Sequence, residues 1–178
     1  YRTNEQAARL QESARYAMSA IETDLRMASF WGLLNNPVDI RNRPRAPGDV
    51  PEGIDTGLAG ALNFCGPSWA VDVTNYLEAA DADYPLDCPP ESGAVAGSDA
   101  LTVRHASAQT ITAAALAGTN GQVKLQTSRS QAELFTGTSI PSEFLPPSSQ
   151  TRALIVHSYD VDQASDLRPT TPSLRRKR

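Results

Sequence analysis

Apolar side chains recur every three or four positions through the first thirty residues of the chain. The first proline is Pro37 and the first glycine is Gly32, so no residue before them interrupts a helix. This spacing predicts an α-helix over residues 1–33 that ends at Gly32 and the Asn-Asn-Pro sequence after it. The face predicted to pack against other elements consists of Leu10, Ala14, Ala17, Ile21, Leu25 and Ala28.

The beginning of this helix is polar. Residues 1–6 offer little apolar surface to bury and no clear N-cap. About 30 residues at ~1.5 Å each give a helix about 45 Å long, which is long for a domain of this size. We therefore expect the helix to continue from a segment that precedes Tyr1.

The segment from residue 35 to residue 99 contains most of the prolines and glycines, which predicts loops with weak local preference. Cys65 and Cys88 close a loop of 24 residues within it. A disulfide there would stabilise the fold by roughly 3 kcal/mol on the chain-entropy estimate. The alternative is two free thiols in a cytosolic protein. We favour the disulfide, because a cysteine pair around such a loop is typical of exported proteins.

From residue 99 onward the pattern changes to that of β-strands. Leu101, Val103 and His105 alternate toward one face, and the Asn-Gly pair at residues 120–121 predicts a β-hairpin. The predicted strands are Ala100–Ala106, Thr110–Ala117, Gly121–Thr127, Arg152–Asp160 and a segment within Pro172–Arg178.

A helix followed by antiparallel strands predicts an α+β fold, with the long helix packed on one face of an antiparallel sheet and a disulfide-stapled loop region. We expect a stalk-like helix (residues 1–33) and one globular domain (residues 34–178). The predicted last strand runs to the final residue, so we expect this domain to continue beyond Arg178.

Composition and charge narrow the function classes. Of 178 residues, 40% are hydrophobic and 6% aromatic, which suits a globular domain with an aliphatic core. The net charge of −4 is unevenly distributed: between Arg45 and Arg104 lie ten acids and no Lys or Arg, so the remainder carries +6. This distribution argues against nucleic-acid binding over the main surface. A terminal basic run stays open as a polyanion contact: Arg175, Arg176, Lys177 and Arg178.

The residue types that carry chemistry form no complete motif. Glycine-rich phosphate loops, Gly-x-Ser-x-Gly and His-Glu-x-x-His do not occur in the sequence. Residues 65–69 are similar to the papain-type cysteine box, but Ser68 occupies the place of the nucleophile. We interpret His105 and His157 as partly buried strand residues, and predict no enzyme activity, no cofactor and no metal.

One acidic cluster lacks the residue order of an EF-hand, so we interpret it as a solvated loop, with a calcium site as the alternative. The cluster consists of Glu78, Asp81, Asp83 and Asp87.

Several sequence blocks resemble the PilW-type minor pilins of bacterial type IV pili. The most specific are Leu-Gln-Glu-Ser-Ala-Arg at residues 10–15 and Asp-Leu-Arg-Met-Ala at residues 24–28. The matching blocks occur in the same order as in the family, whereas residues 35–96 and 128–150 show no resemblance to it. The longer matching stretches are residues 1–17, residues 24–32, Gly97–Arg104, Arg152–Asp162 and Thr171–Arg176.

This resemblance implies a leader removed by a prepilin peptidase and an apolar helix before Tyr1 that anchors the subunit in the inner membrane. The subunit is then expected in the inner membrane and periplasm before assembly, and in the extracellular pilus, at its tip, afterwards. Family members join other minor pilins in a complex that primes polymerisation of the major pilin and is linked to a tip adhesin of the PilY type. The implied roles are twitching motility, adhesion and DNA uptake.

Two alternatives remain open. A minor pseudopilin of type II secretion, the GspJ type, has the same implied fold and assembly role, although the Leu-Arg-Met-Ala block and the later strands fit the pilus better. A DNA-contacting pilus subunit would use the basic run at residues 175–178, and predicts salt-dependent DNA binding.

Overall fold

The computed structural model describes residues 2–144, 147–166 and 169–178, so Tyr1 of the predicted helix lies outside the described residues. The helices are α1 (Arg2–Met27), α2 (Ala59–Leu62) and α3 (Ala113–Leu116), with 3₁₀ turns at Pro37–Asp39, Thr56–Leu58 and Ala117–Thr119. The strands are β1 (Ile40–Arg41), β2 (Leu77–Ala80), β3 (Ala100–Ile111), β4 (Lys124–Thr127), β5 (Ala132–Phe135), β6 (Gln150–Asp162) and β7 (Ser173–Lys177).

The described strands form one sheet in the order β1–β5–β4–β6–β3–β2. Strand β3 pairs along most of β6, while β4 and β7 share the other edge of β6 at its opposite ends. Strand β1 runs parallel to β5, so the sheet is mixed, and it curls into a half-barrel.

The predicted fold class is therefore wrong. Strands contribute more residues than helices, the sheet is not purely antiparallel, and the long helix does not lie along it. Pairing between β1 and β5 joins segments about ninety residues apart, Ile40 with Ala132. Local periodicity carries no information on such long-range pairing, which explains the error.

Among the side chains that the structure describes, those of α1 that are buried against the sheet lie in its C-terminal half. The described side chains before Ala17 are all exposed, whereas Ala17, Ala20 and Ile21 are half-buried and Asp24 is buried. The early turns are polar and offer no apolar surface that the sheet would gain by covering. The predicted packing face is therefore divided: Leu10, Ala14 and Leu25 are exposed, and Ala17, Ile21 and Ala28 are half-buried.

The helix ends earlier than residue 33. Ser29 adopts a left-handed conformation (φ 64°), and Trp31 turns inward to become fully buried. Gly32 also has a positive φ of 78°, and a Cβ there would lie 2.7 Å from Cγ2 of Thr127. The chain therefore leaves the helix through a tight turn pressed against β4, which requires glycine at residue 32.

The opposite face of the sheet is covered by the proline- and glycine-rich segment. The disulfide between Cys65 and Cys88 is present, with a Cα–Cα distance of 4.4 Å. Trp69 packs against it and donates from Nε1 to Oγ of Ser158 at 2.9 Å. Arg104, buried on β3, donates to the carbonyl of Trp69 at 2.7 Å. Covalent, apolar and polar contacts thus all join this segment to the sheet.

Four of the five predicted strands are present as β3, β4, β6 and β7, whereas the predicted strand Thr110–Ala117 is wrong and β5 was not predicted. The predicted hairpin around Asn120 and Gly121 is wrong, because Thr112 caps α3 with its side chain and converts the predicted strand into a helical turn. Strand β4 pairs instead with β5 and β6. Asn120 and Gly121 still form a turn, with φ 75° at the glycine.

Candidate interaction surface

Helix α1 carries a stripe of exposed apolar side chains that flanks the side docked on the sheet. Leu10 is 72% exposed, Met18 65% and Leu25 41%, and Ala14 between them is exposed as well. These four residues, spaced by four and seven positions, fall on one side of a helix. We call Leu10, Ala14, Met18 and Leu25 the apolar stripe. A surface of this kind on a helix is a typical contact for another helix.

A groove runs between α1 and β7, with a volume of about 1050 Å³. We call it the edge groove. On one side lie residues of a single helix face, and on the other lie consecutive residues of the last strand and the turn before it. The helix contributes Glu5, Arg9, Leu10, Ser13, Tyr16, Ala17 and Ala20; the sheet contributes Tyr159 and Thr171–Arg176.

The basic run at the end of the chain is divided between the two sides of β7. Arg175 forms an ion pair with Asp166 at 2.6 Å, and Lys177 lies 3.7 Å from Asp160. Arg176 projects to the helix side, where its charge acts on His157 and Tyr159. The structure therefore places two of the four predicted polyanion contacts against carboxylates, while DNA contact stays a prediction.

Four titratable side chains meet where α1 docks on the sheet, and we call Asp24, His105, His157 and Tyr159 the anchor cluster. Asp24, only 6% exposed, accepts at Oδ2 from the Tyr159 hydroxyl at 2.6 Å and from Nδ1 of His157 at 2.5 Å. His105 Nε2 lies 3.6 Å from the other carboxylate oxygen. One carboxylate thus joins the helix to both long strands.

The hydrogen bonds of the anchor cluster set its charge. Burial acts to raise the pKa of Asp24, but bonds from Tyr159 and His157 and the nearby imidazoles outweigh it, so the pKa lies below its usual value. Burial lowers the pKa of His157 despite the carboxylate beside it. Burial and the bond to Asp24 raise the pKa of Tyr159 to about 12. At neutral pH the cluster therefore consists of an ionised Asp24, a neutral His157 and a neutral Tyr159.

His105 is the fourth member of the anchor cluster, and one of its ring nitrogens is buried without a hydrogen-bond partner. Its Nδ1 lies 2.8 Å from the carbonyl of Ala106, and a carbonyl can only accept, so Nδ1 carries the proton. Nε2 is buried without a hydrogen-bond partner and faces the carboxylate of Asp24. In this tautomer the lone pair of Nε2 faces an acceptor.

Both histidines lie in strands, as predicted, whereas the contacts of Asp24 were not predicted from the sequence. A signal was available: Asp24 lies four residues after Ala20 and four before Ala28, so it interrupts the sheet-facing side of an otherwise apolar helix surface. Its partners could not be identified in the same way, because His157 and Tyr159 follow it by more than 130 residues.

The acidic loop cluster is partly engaged within the chain. Glu78 lies 3.3 Å from the guanidinium of Arg104. In the part of the chain that the structure describes, no group of three or more histidine, cysteine or carboxylate side chains is arranged to hold a metal ion. Over the same residues, no helix combines the length and hydrophobicity needed to cross a membrane.

Comparison with known proteins adds no relative. No family model, no curated protein and no solved structure matches this chain. The function therefore has to be argued from the apolar stripe, the edge groove, the anchor cluster and the sequence blocks.

Proposed function

We propose that this chain is a structural subunit of the minor pilin kind, which joins other pilin subunits in the complex that initiates type IV pilus assembly. The observation that carries this proposal is the apolar stripe on α1. Leu10 and Met18 are large apolar side chains of α1 that are 72% and 65% exposed, and the described side chains before Ala17 are all exposed. The order of the PilW-like sequence blocks supports the same function.

The physical basis is helix association. Burying a side chain such as Leu10 or Met18 contributes about 1.5–3 kcal/mol relative to leaving it exposed. A neighbouring subunit with a similar helix would cover the stripe while the sheet keeps each globular part to one side. The disulfide between Cys65 and Cys88 suits the oxidising periplasm in which such subunits assemble.

The proposal extends to partners and location. Before assembly, the subunit would be located at the inner membrane and bind the other minor pilins and the major pilin there. After assembly, it would be located at the pilus tip with a PilY-type adhesin. These partners come from the sequence resemblance alone, so a binding experiment has to identify them.

Co-purification with the other minor pilins of the host tests the proposal. We expect a stable stoichiometric complex with the native chain, and its loss in the double variant Leu10→Glu and Met18→Glu. The matched control is Arg15→Glu, which places the same charge on another exposed side of the helix. All three positions are exposed, so thermal unfolding should be unchanged in every variant. Failure of the native chain to bind any of these pilins, or a complex indifferent to the double substitution, would overturn the proposal.

A further inference from the structure

We propose that the outer edge of β7, within the edge groove, is a docking site for an extended acidic segment of a partner protein, which adds to the sheet as a further strand. This inference goes beyond the role of the apolar stripe, which shares only Leu10 with the groove, and it does not depend on pilus assembly.

The backbone of β7 supplies the first argument. Among the described residues, β7 pairs with β6 alone, so one of its edges carries unpaired amide and carbonyl groups. Residues Thr171–Arg176 line the groove without a gap. Because side chains alternate along a strand, consecutive residues share only its edge, so the groove faces this unpaired backbone. An extended chain is the ligand that satisfies such a row of donors and acceptors.

The dimensions of the groove agree with a strand. Along α1, Glu5 and Ala20 are separated by about 22 Å, given 1.5 Å per residue. The five residues of β7, Ser173–Lys177, extend over about 17 Å. The groove therefore admits an extended segment of about five residues lying between the helix and the sheet edge.

The side chains of the groove define the chemistry of that segment. Leu174 and Arg176 project to the helix side of β7, since their partners on β6 are Val161 and Tyr159. Leu174 is 40% exposed, and Leu10 and Tyr16 present further apolar surface from the helix. An added strand would place an apolar side chain beside Leu174 and a carboxylate beside Arg176, both of which are stabilising cross-strand pairs.

The charges on β7 favour an acidic segment of a partner protein over a second copy of this chain as the occupant of the groove. The edge strand ends in four consecutive cations, residues 175–178, so two copies of β7 placed side by side would repel each other. On the far side of β7, Arg175 and Lys177 already face Asp166 and Asp160. Selectivity for an acidic segment therefore depends on Arg176.

Hydrogen exchange of the β7 amides tests the inference. The probe is a synthetic peptide of about six residues in which valine and glutamate stand two positions apart with threonine between them, so that both face the helix side, and it is added at millimolar concentration to the isolated chain. We expect exchange to slow about tenfold at the alternate β7 amides that do not donate to β6. A matched peptide with lysine in place of each glutamate should leave these amides unprotected. The amides that already donate to β6 serve as the internal reference.

Charge reversal provides the second arm. In the variant Arg176→Glu, the glutamate peptide should no longer protect the β7 amides, and the lysine peptide should protect them instead. The control Arg129→Glu lies on the exposed turn between β4 and β5 and should behave as the native chain. No protection of β7 by the glutamate peptide, or equal protection by both peptides, would overturn the inference. Concentration-dependent self-association that protects the same amides without peptide would also overturn it, since a second copy would then be the occupant.

Discussion

The two faces of the sheet contact segments of opposite character. On one face, a segment with little regular structure is held by a disulfide, a packed tryptophan and a buried arginine. On the other face, a regular 26-residue helix is held by small side chains and the carboxylate of Asp24. The difference shows that regularity and attachment are separate properties: the loop segment is irregular but firmly joined, and the helix is regular but joined only at one end.

The largest effect should follow from breaking the covalent attachment of the loop face. Replacing both cysteines, Cys65→Ala with Cys88→Ala, should lower the free energy of unfolding by roughly 3 kcal/mol, since the unfolded chain regains the freedom of a 24-residue loop. Urea unfolding measures this loss. Reduction of the native chain should reproduce it, and a stability equal to that of the oxidised native chain would contradict the firm attachment inferred for this face.

The substitution Asp24→Asn, on the helix face, should lower the free energy of unfolding by a smaller amount. The amide keeps the shape of the carboxylate but weakens the charge-assisted bonds to His157 and Tyr159, so we expect a loss of about 1–2 kcal/mol. Amide exchange in residues 17–27 should accelerate more than exchange in β3, because the helix loses its attachment first. Glu22→Gln makes the same chemical change on the exposed side of α1 and should have little effect. Equal exchange in both elements would show that Asp24 does not anchor the helix.

The smallest expected effect is the pH dependence of stability. It distinguishes the helix face from the loop face, because the loop face has no corresponding buried histidine among the described residues. Burial lowers the pKa of His157 in the folded chain, so the unfolded chain binds a proton more readily, and stability falls as the pH drops below about 6.5. Arg176 also disfavours the charged ring. A second loss follows below the ordinary pKa of 3.8 for Asp24, whose folded pKa is lowered.

Thermal unfolding between pH 7.5 and pH 5.5, compared for the native chain and His157→Gln, measures the first loss, which should stay below about 1 kcal/mol. Because His105 is present in both proteins, the difference between them isolates His157. Identical pH dependence in both proteins would contradict the assignment.

The sequence predicted the parts of the fold that depend on local pattern. The existence of α1, the positions of β3 and β6 and the bridge between Cys65 and Cys88 follow from periodicity and from the scarcity of cysteine. The curled, mixed sheet could not be predicted, because β1 has two residues and its parallel partner lies far along the chain.

The candidate interaction surface was predictable only in part. The apolar periodicity located α1 but not which side the sheet covers, since that depends on Asp24 and its distant partners. The basic run was visible in the sequence, whereas its division between the two sides of β7 depends on pairing with β6. The edge groove has no sequence signature, because it arises from the angle between a helix and a strand.

Because the anchor cluster lies near one end of α1, a small rotation at that end displaces the other end much further. From Asp24 to Arg2 the helix rises through 22 residues, which is about 33 Å at 1.5 Å per residue. Rotation by about ten degrees around the docked end would displace the other end by roughly 6 Å, about one helical turn. Over the docked stretch from Ala17 to Asp24, about 10 Å long, the same rotation is a shift of about 2 Å, so a movement at the docked end becomes about three times larger at the far end.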